Sequence, residues 1–239
     1  MIQRTYEQVA KCKGLDEVVI ATDDSRIEEN ARAFGAKAIM TSASLASGTD
    51  RVLEACESMG LDRNDIVVNV QGDEPFVNPA HVEALVAAMK ADATREMGTI
   101  ALEWKDRVQV LSNPNIVKVV LNQASDALYF SRALVPYPRE NCADNEIHLA
   151  LRHLGLYAFR FHFLRAFSNL PPSMLEECEK LEQLRVLEAG HRIHVKVVKG
   201  DVEGGVDTPE QLEAAQARAL SIDNEIDASG ALSPSSTSS

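Results

Sequence analysis

The chain has no C-x-x-C pair; Cys12, Cys56, Cys142 and Cys178 stand far apart. Zinc or iron–sulfur ligation and a disulfide framework are therefore not expected, and the thiols read as free and mostly buried. Positive charge is also scarce. Lys and Arg total 24 against 36 Asp and Glu, a formal charge of −12, which argues against nucleic acid as a partner because phosphate contacts need clustered cations. An acidic protein that binds an anion needs a divalent metal or a few focused Arg and Lys side chains. No run approaches the roughly 18 apolar residues that span a bilayer, and no basic-then-apolar signal segment opens the chain. No membrane insertion is expected, and the cytoplasm is the expected compartment. What remains, 239 residues with 45 % hydrophobic and 25 % charged content, is the composition of an ordinary globular protein.

No internal repeat is present. Residues 221–239 are rich in Ser, carry Asp223, Glu225 and Asp227 and no Lys or Arg, and read as a disordered tail behind one domain at 1–220. That domain alternates strand and helix signals. Val18–Thr22 is a β-branched run, Asp23-Asp24-Ser25 starts a helix, and Gly35 closes it. Ala36–Thr41 is a second strand, and Thr49–Met59 a helix with Val52, Leu53, Cys56 and Met59 on one face. Ile66–Val70 is almost wholly apolar, which suits a strand covered on both faces in a parallel sheet. Asn78-Pro79 opens a helix that carries Val82, Leu85, Val86 and Met89 on one side. Strands follow at Gly98–Glu103 and Ile116–Leu121, a hairpin partner at Ala127–Ser131, and further strands at Gly155–Phe161 and His194–Val198 around a helix at Ser173–Ala189. This order predicts an α/β fold, a three-layer sandwich with a mixed, mainly parallel sheet.

The segment Gln71-Gly72-Asp73-Glu74-Pro75 follows a buried strand directly. Ligands in open α/β sheets bind at the carboxyl ends of strands. Gly72 allows close backbone approach, and Asp73 offers a hard oxygen of the kind Mg²⁺ prefers; the same residues also make a plain polar loop with a turn glycine. One acid holds Mg²⁺ poorly, so a second should converge on it. The candidate is Asp207 in Gly204-Gly205-Val206-Asp207-Thr208-Pro209-Glu210-Gln211, where Thr208 and Gln211 fit a capping box and Pro209 the first helical position. There Asp207 either complements the helix dipole or serves a bound group. Ser47-Gly48-Thr49-Asp50-Arg51 precedes a helix, where backbone N–H groups bind phosphate, ribose or base edges, although N-capping explains the same residues. Arg152-His153 and Ser131-Arg132 put cations near strand ends, where solvated side chains are the ordinary outcome. At 100° per residue, Leu175, Cys178, Leu181 and Val186 form one stripe, with Glu182 and Arg185 inside it. Either those two form a buried i,i+3 ion pair, or the stripe borders a polar pocket where Glu182 and Gln183 bind a hydroxyl-rich ligand.

In combination, ATDD at 21–24, SGTDR at 47–51, VNVQGDEP at 68–75, NPNIVKVV at 113–120, ALYFSRALVP at 127–136, RHLGLYAF at 152–159, LEQLRVLEAG at 181–190 and GVDTPEQL at 205–212 resemble the CMP-KDO synthetase family, the 3-deoxy-D-manno-octulosonate cytidylyltransferases. The resemblance covers residues 1–215 in order. It implies a nucleotide-diphospho-sugar-transferase fold and the reaction of CTP with KDO to CMP-KDO and pyrophosphate, which feeds lipopolysaccharide synthesis. It further implies Mg²⁺ held by Asp73 and Asp207, which screens like charges on phosphate and sugar acid. By the same resemblance Gln71, Arg152, His153, Tyr157, Glu182 and Gln183 surround KDO, Ser47, Gly48 and Thr49 lie near the cytidine, and the chain forms a homodimer through its second half.

One departure bears on activity. The family opens with a strand and a basic loop of the type IPAR-x-x-S-x-R-L-P-G-K-P-L, whereas Met1-Ile2-Gln3-Arg4-Thr5-Tyr6 aligns with the helix that follows it. That loop neutralises the triphosphate and that strand is central in the family sheet. The chain is therefore expected to be a fragment or a mis-started reading frame that binds CTP poorly and turns over little or nothing. The competing readings are a cytidylyltransferase for another acidic sugar, such as 8-amino-KDO or a sialic-acid-like substrate, and a catalytically silent relative that binds and dimerises.

Overall fold

Three short polar side chains turn the chain into helices. In the computed structural model, which describes residues 1–45, 47–103, 113–137, 150–200, 205–206 and 208–230, Asp24 accepts from the Arg26 amide at 2.8 Å, Ser47 from Asp50 at 3.1 Å and Asn78 from Ala80 at 3.0 Å. Each satisfies an N–H that the first helical turn leaves open. The helices that follow are α2 (Ser25–Ala33), α3 (Gly48–Met59) and α4 (Pro79–Ala91), after an opening helix α1 (Ile2–Ala10). Gly35 at φ +82° and Gly60 at φ +70° stop α2 and α3 in the left-handed conformation that glycine adopts without strain.

The strands are β1 (Val19–Thr22), β2 (Lys37–Met40), β3 (Ile66–Asn69), β4 (Met97–Leu102), β5 (Lys118–Leu121), β6 (Ala127–Ser131), β7 (Leu151–Arg160) and β8 (His194–Val198). Helices α5 (Phe161–Ser168), α6 (Met174–Glu179) and α7 (Gln183–Glu188) lie between β7 and β8, and α8 (Pro209–Gly230) ends the described chain. β1 and β2 form a parallel pair of their own; the other strands form one sheet in the order β6-β5-β7-β4-β8, with β3 also on β7. Among the described residues β1 and β3 each have a single ladder partner. The long strand β7 organises the sheet. One edge runs along β4, and the other meets β5 at Leu151 and Arg152, then β3 from Tyr157 to Arg160. Sheet faces are set by alternation: Tyr157 and Phe159 pack toward α3, α5 and α7, while Leu154, Leu156 and Ala158 pack toward α4. The result is three layers, with Val82, Leu85 and Met89 of α4 fully buried on one side and Phe163, Leu164, Phe167 and Leu184 on the other.

Three expectations are corrected. The sheet is mixed, but its antiparallel ladders outnumber the parallel ones among the described residues, and β3 runs antiparallel to β7. The apolar run that suggested a parallel strand reflects helices on both faces, and burial of that kind carries no information about partner direction. The helix expected over Ser173–Ala189 is two, α6 and α7, broken at Lys180, whose φ is +54°. Its supposed core stripe therefore dissolves: Leu175 and Cys178 are exposed while Leu181 and Val186 are buried. Cys12 and Cys56 are buried thiols, and Cys142 lies outside the described residues. Finally α8 continues through Gly230, into the stretch that composition reads as disordered; its Ala, Leu, Glu and Gln content favours a helix. Residues 231–239 lie outside the described residues. No helix among the described residues is long and apolar enough to cross a membrane.

Candidate active site

The carboxyl end of β3 delivers the first group. Gln71 is exposed and Asp73 half-buried in a turn closed by the Glu74 amide on the Gln71 carbonyl at 3.3 Å. The Asp73 carbonyl accepts from the Val206 amide at 2.9 Å, so the chain returns to this loop from the far end of the sequence. The close approaches expected of the glycines are to protein. A Cβ on Gly205 would stand 3.0 Å from Glu74 Oε1, and one on Gly72 3.0 Å from Ile2 Cδ1. Thr208 and Gln211 form the expected reciprocal cap, at 2.9 and 3.3 Å. Asp207 lies outside the described residues. Among the described residues no cluster of three His, Cys, Asp or Glu could hold a metal ion. Asp73 nonetheless offers the hard oxygen chemistry that suits Mg²⁺, and the Val206 contact carries the chain to within one residue of Asp207.

The second group joins the start of α3 to the start of α7. Thr49, buried one residue into α3, donates from Oγ1 to Glu182 Oε2 at 2.7 Å. Ser47 caps α3 and also donates to Asp50 Oδ2 at 2.9 Å, and Gly48 between them is exposed. Burial raises the Glu182 pKa, against the lowering effects of the Thr49 hydroxyl and of Arg185. Of the two readings open for Glu182 and Arg185, the i,i+3 ion pair does not form as a contact. Arg185 forks instead onto Glu176, with Nε 2.7 Å from Oε2. Gln183 is 3 % exposed, and its Nε2 has no hydrogen-bond partner among the described residues.

The third group lies on β7. Arg152 is half-buried between Leu102 of β4 and Lys118 of β5; burial lowers its pKa while the Glu74 carboxylate raises it, which sets the arginine within reach of the Asp73 loop's field. His153 is 9 % exposed, and burial depresses its pKa to about 3. Its Nε2 stands 3.0 Å from Thr99 Oγ1, which also lies 2.8 Å from the Leu156 carbonyl and 3.3 Å from that of Leu154. A hydroxyl has one proton; given to either of these carbonyls, which can only accept, it leaves Thr99 to accept from the ring. His153 is then a neutral Nε2–H tautomer whose Nδ1 is an acceptor. The cause is local: the ladder between β4 and β7 shifts register between Thr99 and Ile100, and Thr99 fills the irregularity. The His153 ring sits edge-on to Phe130 at 4.8 Å and beside Tyr157 at 5.5 Å. Burial, then the Glu182 charge, raises the Tyr157 pKa, so Tyr157 and Glu182 border one region.

Thus Thr49, Glu182, Tyr157 and His153 form one connected cluster, and Asp73, Arg152 and Glu74 another. Two residues were missed from sequence. Thr99 gave no signal because its role depends on a register shift. Arg51 was seen only as part of SGTDR; it donates to Thr41 at 2.6 Å and to Asp23 at 3.0 Å, tying that motif to ATDD.

Residues 1–193 match the family model described as cytidylyltransferase. The 3-deoxy-manno-octulosonate cytidylyltransferase of Syntrophobacter fumaroxidans is 50 % identical over 214 residues, 90 % of this chain and 84 % of that protein. The 8-amino-3,8-dideoxy-manno-octulosonate cytidylyltransferase of Shewanella pealeana is 43 % identical over 93 % of this chain and 89 % of its own. The solved structure of CMP:2-keto-3-deoxy-manno-octonic acid synthetase complexed with CTP superposes with a TM-score of 0.82 at 42 % identity, covering 93 % of this chain and 88 % of that one.

Proposed function

The chain belongs to the cytidylyltransferase family, and from that premise we propose that it transfers the cytidylyl group of CTP to the anomeric oxygen of KDO. The products are CMP-KDO, a precursor for lipopolysaccharide, and pyrophosphate, and the reaction runs in the cytoplasm. The observation that carries this reading is the buried amide nitrogen of Gln183, next to Glu182, which has no hydrogen-bond partner among the described residues. A buried donor without a partner is costly, and a hydroxyl-rich ligand supplies the missing acceptor. Glu182 accepts from sugar hydroxyls, His153 Nδ1 from another, and Tyr157 and Gln71 complete the sugar side. Arg152 attracts the sugar carboxylate. Ser47, Gly48 and Thr49 face the cytidine at the positive end of α3. Asp73 and Asp207 would hold Mg²⁺, which neutralises phosphate charge when bound. The same proposal includes a homodimer: Leu128 on edge strand β6 and Tyr137 beyond it are 60 % and 83 % exposed.

The test is pyrophosphate release from CTP and Mg²⁺ with KDO, 8-amino-KDO or a sialic acid. It is run on the 239-residue chain and on the same chain preceded by a strand and basic loop of the family type. Release with KDO from the preceded chain is expected. Release with 8-amino-KDO alone moves the reading to the other sugar, as the Shewanella relative would lead one to ask. No release with any sugar overturns it.

A further inference from the structure

The break between α6 and α7 is what aims Glu182 and Gln183, and residues distant in sequence enforce it. In an uninterrupted helix the carbonyls of Glu179 and Lys180 would accept from the amides of residues 183 and 184. Here the Leu184 amide turns to Leu181 at 3.1 Å. The two abandoned carbonyls are taken by one guanidinium: Arg132 Nε donates to the Glu179 carbonyl at 2.7 Å and Nη2 to that of Lys180 at 3.4 Å. The Glu179 carboxylate returns the contact, accepting from Ser131 Oγ at 2.7 Å and from the Arg132 amide at 2.9 Å. Behind it, Lys118 is wholly buried and donates to the carbonyls of Arg132 and Asn113, each at 2.8 Å. Lys180 itself sits at φ +54°, a conformation that costs a residue with a side chain free energy and persists only where surroundings impose it.

We propose that Arg132 is a positioning residue for the sugar. By capping the end of α6 from the residue that follows β6, with Glu179 as its counterpart and Lys118 as its anchor, it fixes the break at Lys180. That break turns α7 so that Glu182 meets Thr49 and Gln183 is buried. This rests on the KDO reading only for the identity of the ligand; the clamp itself is a property of the fold.

The experiment measures KDO affinity by titration calorimetry and amide hydrogen exchange over residues 181–186. It compares the unmodified chain with Arg132→Met, Glu179→Gln, and Arg132→Met combined with Lys180→Gly. Arg132→Met is expected to weaken KDO binding about tenfold or more and to speed exchange at 182–184. Because glycine adopts a positive φ freely, adding Lys180→Gly restores the break, and with it much of both losses. A generally destabilised protein would not be rescued this way. Glu179→Gln, the milder variant, shows the same pattern more weakly. Unchanged affinity and exchange in Arg132→Met, or no rescue by Lys180→Gly, overturns the proposal. If the unmodified chain itself ignores KDO, the sugar reading fails, and the exchange pattern alone decides the clamp.

Discussion

Thr49 and Glu182, 133 positions apart in sequence, are joined by a hydrogen bond of 2.7 Å that binds the start of α3 to the start of α7. It places the stretch assigned to the nucleotide against a residue assigned to the sugar. An acceptor in that position, half-desolvated and held by the hydroxyls of Thr49 and Ser47, is fixed in direction before any substrate arrives, and fixed direction is what transfer between two bound substrates requires.

Glu182 is raised in pKa by burial. A carboxyl raised in the folded state contributes stability that is complete below its unfolded value, near 4.5, and is lost as pH rises through the folded value. Glu182→Gln is therefore expected to leave thermal stability at neutral pH unchanged or higher while weakening KDO binding. Melting curves of both proteins from about pH 4 to 8 check it. A uniform loss of stability across that range would contradict the burial account.

His153 shifts the other way, to about 3. A base depressed by folding contributes stability present above its unfolded value of 6.5 and lost as pH falls toward the folded one. Urea unfolding should show stability falling with acid below about pH 6.5, less steeply in His153→Gln. The slope does not vanish, because burial also lowers the pKa of His81 and His194. The same shift predicts that no ionisation of His153 appears in a rate profile near neutrality.

With its own proton on a carbonyl, Thr99 holds the ring proton on Nε2. Nitrogen chemical shifts of labelled His153 should report one tautomer in the parent and a mixture in Thr99→Val. That variant also leaves the Leu156 carbonyl without its donor and is expected to cost about 1–3 kcal/mol. A single unchanged tautomer would show that Thr99 does not set it.

Gln183 carries a buried amide nitrogen that is unsatisfied among the described residues. Gln183→Leu should stabilise the ligand-free protein by roughly 1 kcal/mol, since it removes an uncompensated donor, and should abolish most of the thermal shift produced by KDO. A less stable variant that still responds to KDO would argue that the amide has another purpose.

The sequence was most informative where structure is local. The caps at Asp24, Ser47 and Asn78, the stops at Gly35 and Gly60, and the Thr208–Gln211 box follow from residues within one helical turn. The break at Lys180 was hidden because its cause, Arg132, lies 48 positions away and the heptad-like stripe ran straight through it. The direction of β3 was hidden for a related reason: an apolar run records burial, not pairing. At the site, the motifs singled out Thr49, Glu182 and His153, which the fold gathers into one cluster, and Asp73, which it places in another. What they could not carry was the contact between Thr49 and Glu182, or the tautomer that Thr99 imposes.

The most direct test of the whole account is phosphorus NMR of CTP, KDO and Mg²⁺ with the chain preceded by the family-type strand and loop, beside its Asp73→Asn variant. The account predicts new signals of a CMP-sugar phosphodiester and of pyrophosphate in equal amounts, appearing at least about a hundredfold more slowly with Asp73→Asn. Equal rates from the two proteins, or CTP that remains intact in both, would contradict it.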